Sequence, residues 1–173
     1  MLRSDPTLLV VEDARVDAML IRVAARRPMP GLDVRVAGDG NEGIAYLEGL
    51  PPYQERRSHP FPELIILDLL MPNLDGFGVL EWLRDRKGVG RVPVVVLTGS
   101  TDPEHEGRCL ALGVKAFHRK PADPERLVSL VRDIVEEHLG GEAAVDAFDA
   151  LGLSVLSRPE HGDRTGAASG EGG

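Results

Sequence analysis

A chain of 173 residues, 42% of them apolar, is long enough for one domain with its own core. Its formal charge of −8 and sequence pI of about 5.1 argue against a nucleic-acid binder, whose footprint is basic. The single cysteine, Cys109, excludes an internal disulfide and suits a reducing, cytoplasmic compartment; no apolar run approaches the ~20 residues of a membrane span, and the N-terminus lacks a basic-then-apolar leader.

Thr7 to Val11 reads as a short buried strand that ends in Glu12-Asp13. Ala14 to Arg27 follows as a helix, with Val16, Leu20, Val23 and Ala24 at helical spacing and Arg15, Arg22, Arg26 and Arg27 outside. Pro28, Pro30 and Gly31 stop it. Leu32 to Ala37 alternates apolar and polar residues and predicts a second strand. Gly38-Asp39-Gly40 turns into a helix carrying Ile44, Leu47 and Leu50. Residues 51–62 hold four prolines and no period, which predicts an exposed loop. Leu64 to Leu67 is a continuous apolar run, too short for a helix, as expected of a strand buried on both faces of a parallel sheet. It stops at Asp68, and Pro72 prevents it from continuing as an interior strand. Asp75 can cap a helix that buries Phe77, Leu80 and Leu83. Pro93 to Leu97 is a fourth strand ending at Thr98-Gly99-Ser100. Asp102 and Pro103 start a short helix that Gly113 ends. Lys115 to Arg119 is a fifth strand followed by Lys120-Pro121. Asp123 caps a last helix whose Leu127, Leu130, Val131, Ile134 and Val135 share one face.

Five strands alternating with five helices predict right-handed βαβ units: an α/β fold with a parallel sheet covered on both faces. In such sheets ligands bind at the carboxyl ends of the strands, where Glu12, Asp13 and Asp68 fall. Carboxylates there approach within roughly 4–6 Å, and two charges about 4 Å apart repel by ~4 kcal/mol at an effective dielectric of about 20. Such a cluster needs a proton or a cation. Oxygen ligands select Mg²⁺, Mn²⁺ or Ca²⁺ over Zn²⁺. The lysines are Lys87, Lys115 and Lys120, so a lysine at the end of the fifth strand is a rare placement in an arginine-rich chain.

Asp68-Leu69-Leu70-Met71-Pro72-Asn73-Leu74-Asp75-Gly76, taken with Glu12-Asp13, Thr98 and Lys120-Pro121, resembles the receiver domain of bacterial two-component response regulators, over roughly residues 6–139. The resemblance implies a flavodoxin-like fold with strand order 2-1-3-4-5. It implies that Asp68 is the phosphoacceptor, and that Mg²⁺ is held by Asp13, Asp68 and the Leu70 backbone carbonyl, with Glu12 acting through water. Lys120 and Thr98 would contact the phosphoryl oxygens, and Thr98 and Phe117 would form the switch pair. Phe117 lacks the hydroxyl that many receivers carry as tyrosine there. A cis bond at Lys120-Pro121 is implied too. Ser100, two residues past Thr98, falls beside the path of a hydrolytic water.

The expected function is that of a stand-alone regulator that accepts a phosphoryl group from a sensor histidine kinase. Its output would be protein contact or onward transfer, with no enzymatic activity beyond self-phosphorylation and autodephosphorylation. The face of the fourth helix, fifth strand and fifth helix is where such domains form homodimers. The long proline-rich loop also resembles the stand-alone regulators paired with bacterial phytochromes. One rival is a Mg²⁺-dependent phosphohydrolase using Asp68 as nucleophile; it would carry a second acid at position 70, which is leucine. Another is a receiver-like binding module that is not phosphorylated. Gly38-x-Gly40-x-x-Gly43 matches a dinucleotide fingerprint, but it follows the second strand, not the first, and a tight turn explains it. The five histidines share no triad or metal spacing and are expected at the surface. Residues 140–173 are expected to form a tail, with a candidate short helix over 142–151 and a disordered end.

Overall fold

The computed structural model describes residues 5–86 and 88–150, the last ten by their backbone alone. The elements run β1 (Thr7–Val11), α1 (Arg15–Arg26), β2 (Asp33–Ala37), α2 (Gly40–Glu48), β3 (Leu64–Leu67), α3 (Gly76–Arg84), a 3₁₀ turn (Val89–Arg91), β4 (Val94–Thr98), α4 (Glu104–Ala111), β5 (Ala116–Arg119) and α5 (Pro124–Ala150). The strands form one parallel sheet in the order β2-β1-β3-β4-β5, as expected. Val11 pairs with Leu67, Leu67 with Val96 and Val96 with Phe117, so the first residues beyond β1 and β3 leave the sheet at one level.

Every residue of β1, β3 and β4 is buried, which is why these strands are runs of Leu, Ile and Val without alternation. Side chains of successive residues point to opposite faces, so the sheet supports two cores. Leu9, Val11, Ile65, Leu67 and Val96 meet Phe77, Leu80 and Leu83 of α3 and Cys109 of α4. Leu8, Val10, Ile66, Val95 and Leu97 meet Ile21 of α1 and Leu127, Val131, Ile134 and Val135 of α5.

The buried face of α1 matches the expected one only in part: Ala24 is inside and Leu20 packs partly buried against the core, but Val16 and Val23 face out. Ala18, Ile21, Ala24 and Ala25 are inside, while Val16, Met19 and Val23 are 67%, 60% and 51% exposed. Both stripes satisfy helical spacing. The small one wins because α1 packs against α5 as well as the sheet, and alanines permit the close approach. Residues 51–62 also depart from the expectation of a merely exposed loop. Arg56 donates to the carbonyls of Tyr46 and Leu47 at 2.9 and 2.8 Å, closing the C-terminal end of α2, and the Tyr46 hydroxyl donates to the Pro60 carbonyl at 2.7 Å. Tyr53 and His59 meet edge to face across 5.3 Å beneath it. The cis peptide among the described residues is Pro51–Pro52; Lys120–Pro121 is trans, the commoner X–Pro state, contrary to what the resemblance implied. The α5 backbone continues to Ala150, and residues 142–150 are part of it. The side chains of 142–150, residue 151 of the expected helix and the expected disordered end lie outside the described residues.

Candidate functional site

The site begins with β1 and β3 lying side by side. The Glu12 amide donates to the Ala37 carbonyl at 2.9 Å and the Asp68 amide to the Val11 carbonyl at 3.0 Å, so both acids are fixed by extensions of the sheet ladder. Both are buried, with Glu12 3% and Asp68 5% exposed, whereas Asp13 is open to solvent. One carboxylate oxygen from each of the three lies within 4.8 Å of the others. The expectation that these acids converge is therefore met.

The loop after Asp68 is held by close backbone contacts. The Leu70 amide donates to Asp68 Oδ1 at 3.2 Å, and the Gly76 amide to the Leu69 carbonyl at 3.1 Å. A Cβ at Gly76 would collide with the Asp68 carbonyl oxygen, so only glycine fits there. The Leu70 side chain is 55% exposed, leaving its backbone free of any packing duty. The glycines of 38–43 have a related cause. The Gly40 amide donates to the Leu74 carbonyl at 3.1 Å, and a Cβ there would strike that oxygen. Asn73 Nδ2 donates to Asp39 Oδ2 at 2.8 Å, while Asp39 Oδ1 caps α2 by accepting from the Glu42 amide at 2.9 Å. The fingerprint-like glycines thus seat α2 against the loop of the site.

Lys120 crosses over this cluster from the end of β5. Its amide donates to the Thr98 carbonyl at 2.8 Å. Its Nζ lies 2.6 Å from Glu12 Oε2, 2.8 Å from Asp68 Oδ2 and 3.0 Å from Asp17 Oδ2. The ammonium donates to Asp68 and Asp17 and is ion-paired with Glu12, so three carboxylates surround it. Burial lowers the Lys120 pKa, but the bonds from Asp68 and Glu12 more than reverse this and raise it above the ordinary lysine value. Burial pushes the Glu12 carboxyl up to about 7 against the pull of Lys120, with the Asp68 charge adding to the rise. Three converging carboxylates outnumber the one ammonium beside them. The residual negative field and the hard oxygen donors fit a divalent cation.

Thr98 is wholly buried, and its Oγ1 accepts from the Ser100 amide at 3.2 Å. Ser100 Oγ in turn lies 2.7 Å from His105 Nδ1 and accepts from the Asp102 amide at 3.3 Å. His105 also meets the Phe77 ring edge to face at 4.9 Å. This corrects the expectation that the histidines are simply at the surface: His105 ties the first turns of α4 to the loop beyond β4. Phe117 is half-buried on the α3 side of the sheet and pairs with Val96 of β4, while Thr98 pairs with Arg119. Asp17 and His105 were not singled out from sequence. A signal existed for Asp17, which stands four residues after Asp13 and so one helical turn from the site. None existed for His105, whose partner depends on the path of the β4–α4 loop.

The family model for the response regulator receiver domain matches residues 8–132. The chain belongs to the response regulator receiver family. Among curated receiver proteins, the probable transcriptional regulator ycf27 of Porphyridium aerugineum is 33% identical over 129 residues, which cover 74% of this chain and 47% of that protein. The chain thus spans about half the length of that relative. Response regulator Rcp1 of Synechocystis sp. is 29% identical over 127 residues, covering 73% of this chain and 84% of Rcp1. The solved structure of the phosphorylated cyanobacterial phytochrome response regulator RcpA superposes with a TM-score of 0.73 at 31% identity, covering 78% of this chain and 94% of that one. The Mn²⁺-bound form of Rcp1 superposes with a TM-score of 0.68 at 25% identity, covering 89% and 99%. Among the described residues of this receiver domain, no helix is long and apolar enough to cross a membrane.

Proposed function

We propose that Asp68 accepts a phosphoryl group from a sensor histidine kinase in a Mg²⁺-dependent phosphorelay, and that the output is a protein contact or onward transfer. The observation that carries this reading is the Lys120 ammonium 2.8 Å from Asp68 Oδ2 above a cluster of acids. An Asp68 carboxylate oxygen attacks phosphorus; the bond from phosphorus to the phosphohistidine nitrogen breaks, and its electron pair leaves with the imidazole. The product is an aspartyl phosphate. Lys120 donates hydrogen bonds to phosphoryl oxygens as negative charge concentrates there, and the Thr98 hydroxyl donates its own proton in a hydrogen bond to another. Asp13, Asp68 and the Leu70 carbonyl would hold Mg²⁺, with Glu12 acting through water; when bound, the ion supplies charge neutralisation between carboxylate and phosphoryl oxygens. Phe117 would follow Thr98 inward, altering the α4–β5–α5 face, which is the candidate homodimer surface.

The names of RcpA and of its relative in red-light signalling of R. palustris, 30% identical with a TM-score of 0.71, favour a bacterial phytochrome as the kinase. Leu70 disfavours the phosphohydrolase, since an exposed leucine cannot protonate a leaving group. Incubation with acetyl phosphate and Mg²⁺ tests the reading. One base-labile adduct of the mass of a phosphoryl group is expected, and Asp68→Asn abolishes it. A protein that stays unmodified with every donor offered is the binding module instead.

A further inference from the structure

Lys120 has a third partner that the receiver chemistry does not require. Asp17 lies in the first turn of α1, a place where the helix field favours an acid, and its Oδ2 accepts from Lys120 Nζ at 3.0 Å. The two residues are 103 positions apart in sequence, so this bond ties the start of α1 to the loop between β5 and α5. Among the acids around Nζ, Glu12 and Asp68 belong to the convergent oxygen cluster and Asp17 does not. A cation and a phosphoryl group arriving at the cluster compete for the Glu12 and Asp68 oxygens. Asp17 keeps its lone pairs for Lys120 throughout. Without it, a four-carbon side chain carrying a buried charge would lose the one acceptor that stays in place during transfer.

We propose that Asp17 is a positioning residue that holds the Lys120 ammonium above Asp68 while Glu12 and Asp68 turn to cation and phosphoryl group. The inference rests on Asp68 being the phosphoacceptor, and it commits Asp17 to acting through Lys120 alone. One Nζ–H keeps donating its hydrogen bond to Asp17; the others turn to donate hydrogen bonds to phosphoryl oxygens as the new O–P bond forms, and the ammonium keeps all its protons.

Two measurements test it. In the first, adduct formation from acetyl phosphate with Mg²⁺ is followed in Asp17→Ala and Asp17→Asn, in both the native and the Lys120→Ala backgrounds. Asp17→Ala is expected to slow the native protein by about tenfold, the scale of one lost bond to a charged donor, with Asp17→Asn between. In the Lys120→Ala background it is expected to change the rate by less than about twofold, because a residue acting through another has no effect once that other is gone. Equal slowing in both backgrounds, or none in the native one, overturns the proposal. The second measurement needs no metal and no donor. The chain has three lysines, and a proton–nitrogen NMR spectrum of the metal-free protein at neutral pH should show a slowly exchanging Lys120 ammonium that disappears or shifts in Asp17→Ala. A signal that survives unchanged rules the tether out. Absence of any adduct on the unmodified sequence removes the phosphoacceptor reading, and the NMR comparison then decides the tether alone.

Discussion

Replacing Lys120 with methionine keeps the length of the side chain and removes its charge. The native ammonium lies 2.6 Å from Glu12 and 2.8 Å from Asp68, both almost fully buried. Removing one partner of a buried ion pair costs about 3–5 kcal/mol, because the other is left uncompensated. Two carboxylates are left here, but Glu12 has an escape. Its carboxyl is already raised to about 7 with the lysine present, so losing that cation lets it take up a proton at neutral pH. The expected loss in the metal-free protein at neutral pH is therefore near the low end, about 3 kcal/mol, and larger at about pH 8.5. A divalent cation can replace the missing charge. Saturation at about a thousand times the dissociation constant contributes up to about 4 kcal/mol, so Mg²⁺ should stabilise Lys120→Met more than the native protein, where it competes with the ammonium for the same oxygens. Urea unfolding of both proteins, in EDTA and in excess Mg²⁺, reads this directly. An unchanged midpoint for Lys120→Met in EDTA, or equal Mg²⁺ stabilisation of both proteins, would show that Lys120 does not neutralise the acids.

The pH dependence of the metal-free protein should carry the mark of Glu12. Its folded pKa of about 7 lies above the value of 4.5 it has unperturbed, so the folded state holds the extra proton between them. That contribution is full below about pH 4.5 and lost as pH rises through about 7, a fall of about 3 kcal/mol at 1.36 kcal/mol per pH unit. Urea titrations across this range should show a flatter profile for Glu12→Gln; an identical slope in both proteins would contradict it. Gly40→Ala should cost about 1–3 kcal/mol in urea unfolding, because the new methyl meets the Leu74 carbonyl oxygen and lies 2.8 Å from Val79 Cγ2; an unaltered midpoint would mean the α2 start is looser than the contacts require. Cys109 is wholly buried and burial raises its thiol to about 11, so a disulfide reagent should label it only as fast as the protein opens, and at once in urea.

The strands and the acids at their ends were legible because each has a local cause. Full burial on both faces forces the continuous runs Leu64–Leu67 and Val94–Leu97, and a strand that stops at a carboxylate declares where the site is. Asp75 capping α3 through the Gly78 amide is equally local. What escaped depends on neighbours distant in sequence. The inward face of α1 is set by the closeness of α5, and Ala18 and Ala25 carry too little hydropathy to compete with Val16 and Val23. Asp17 looks like one more acid on a solvated helix until β5 delivers Lys120 beside it. Arg56, in a segment without any period, caps the end of a helix whose last carbonyls the pattern of residues 51–62 does not reveal.

If Asp68 takes a phosphoryl group as proposed, the bonding of Lys120 would let that small group be felt across the domain. Its amide is bound to Thr98 at the end of β4, its ammonium to Asp17 on α1 and to the acids beyond β1 and β3, and its backbone leads within four residues into α5. Asp17, Asp68 and Glu12 crowd around Nζ, so a newcomer to the ammonium must compete with them. A phosphoryl group on Asp68 therefore cannot add a bond to Lys120 without taking one away. The oxygens of Glu12 and Asp68 are the ones a cation can satisfy in exchange, and Asp17 is the one it does not reach. Thr98 differs: its hydroxyl oxygen receives the Ser100 amide while its own proton can still be donated, but a movement toward Asp68 would draw that oxygen away from Ser100, which is bound onward to His105 at the start of α4. If Thr98 turns to the phosphoryl group, the Ser100 amide loses its acceptor within a buried loop, a cost of about 1–3 kcal/mol that moving the loop relieves. On the proposed phosphorylation of Asp68, the bond taken from Lys120 and the oxygen drawn from Ser100 would together turn a local covalent change into a repacking of the α4–β5–α5 side, with no need for a long path through the core.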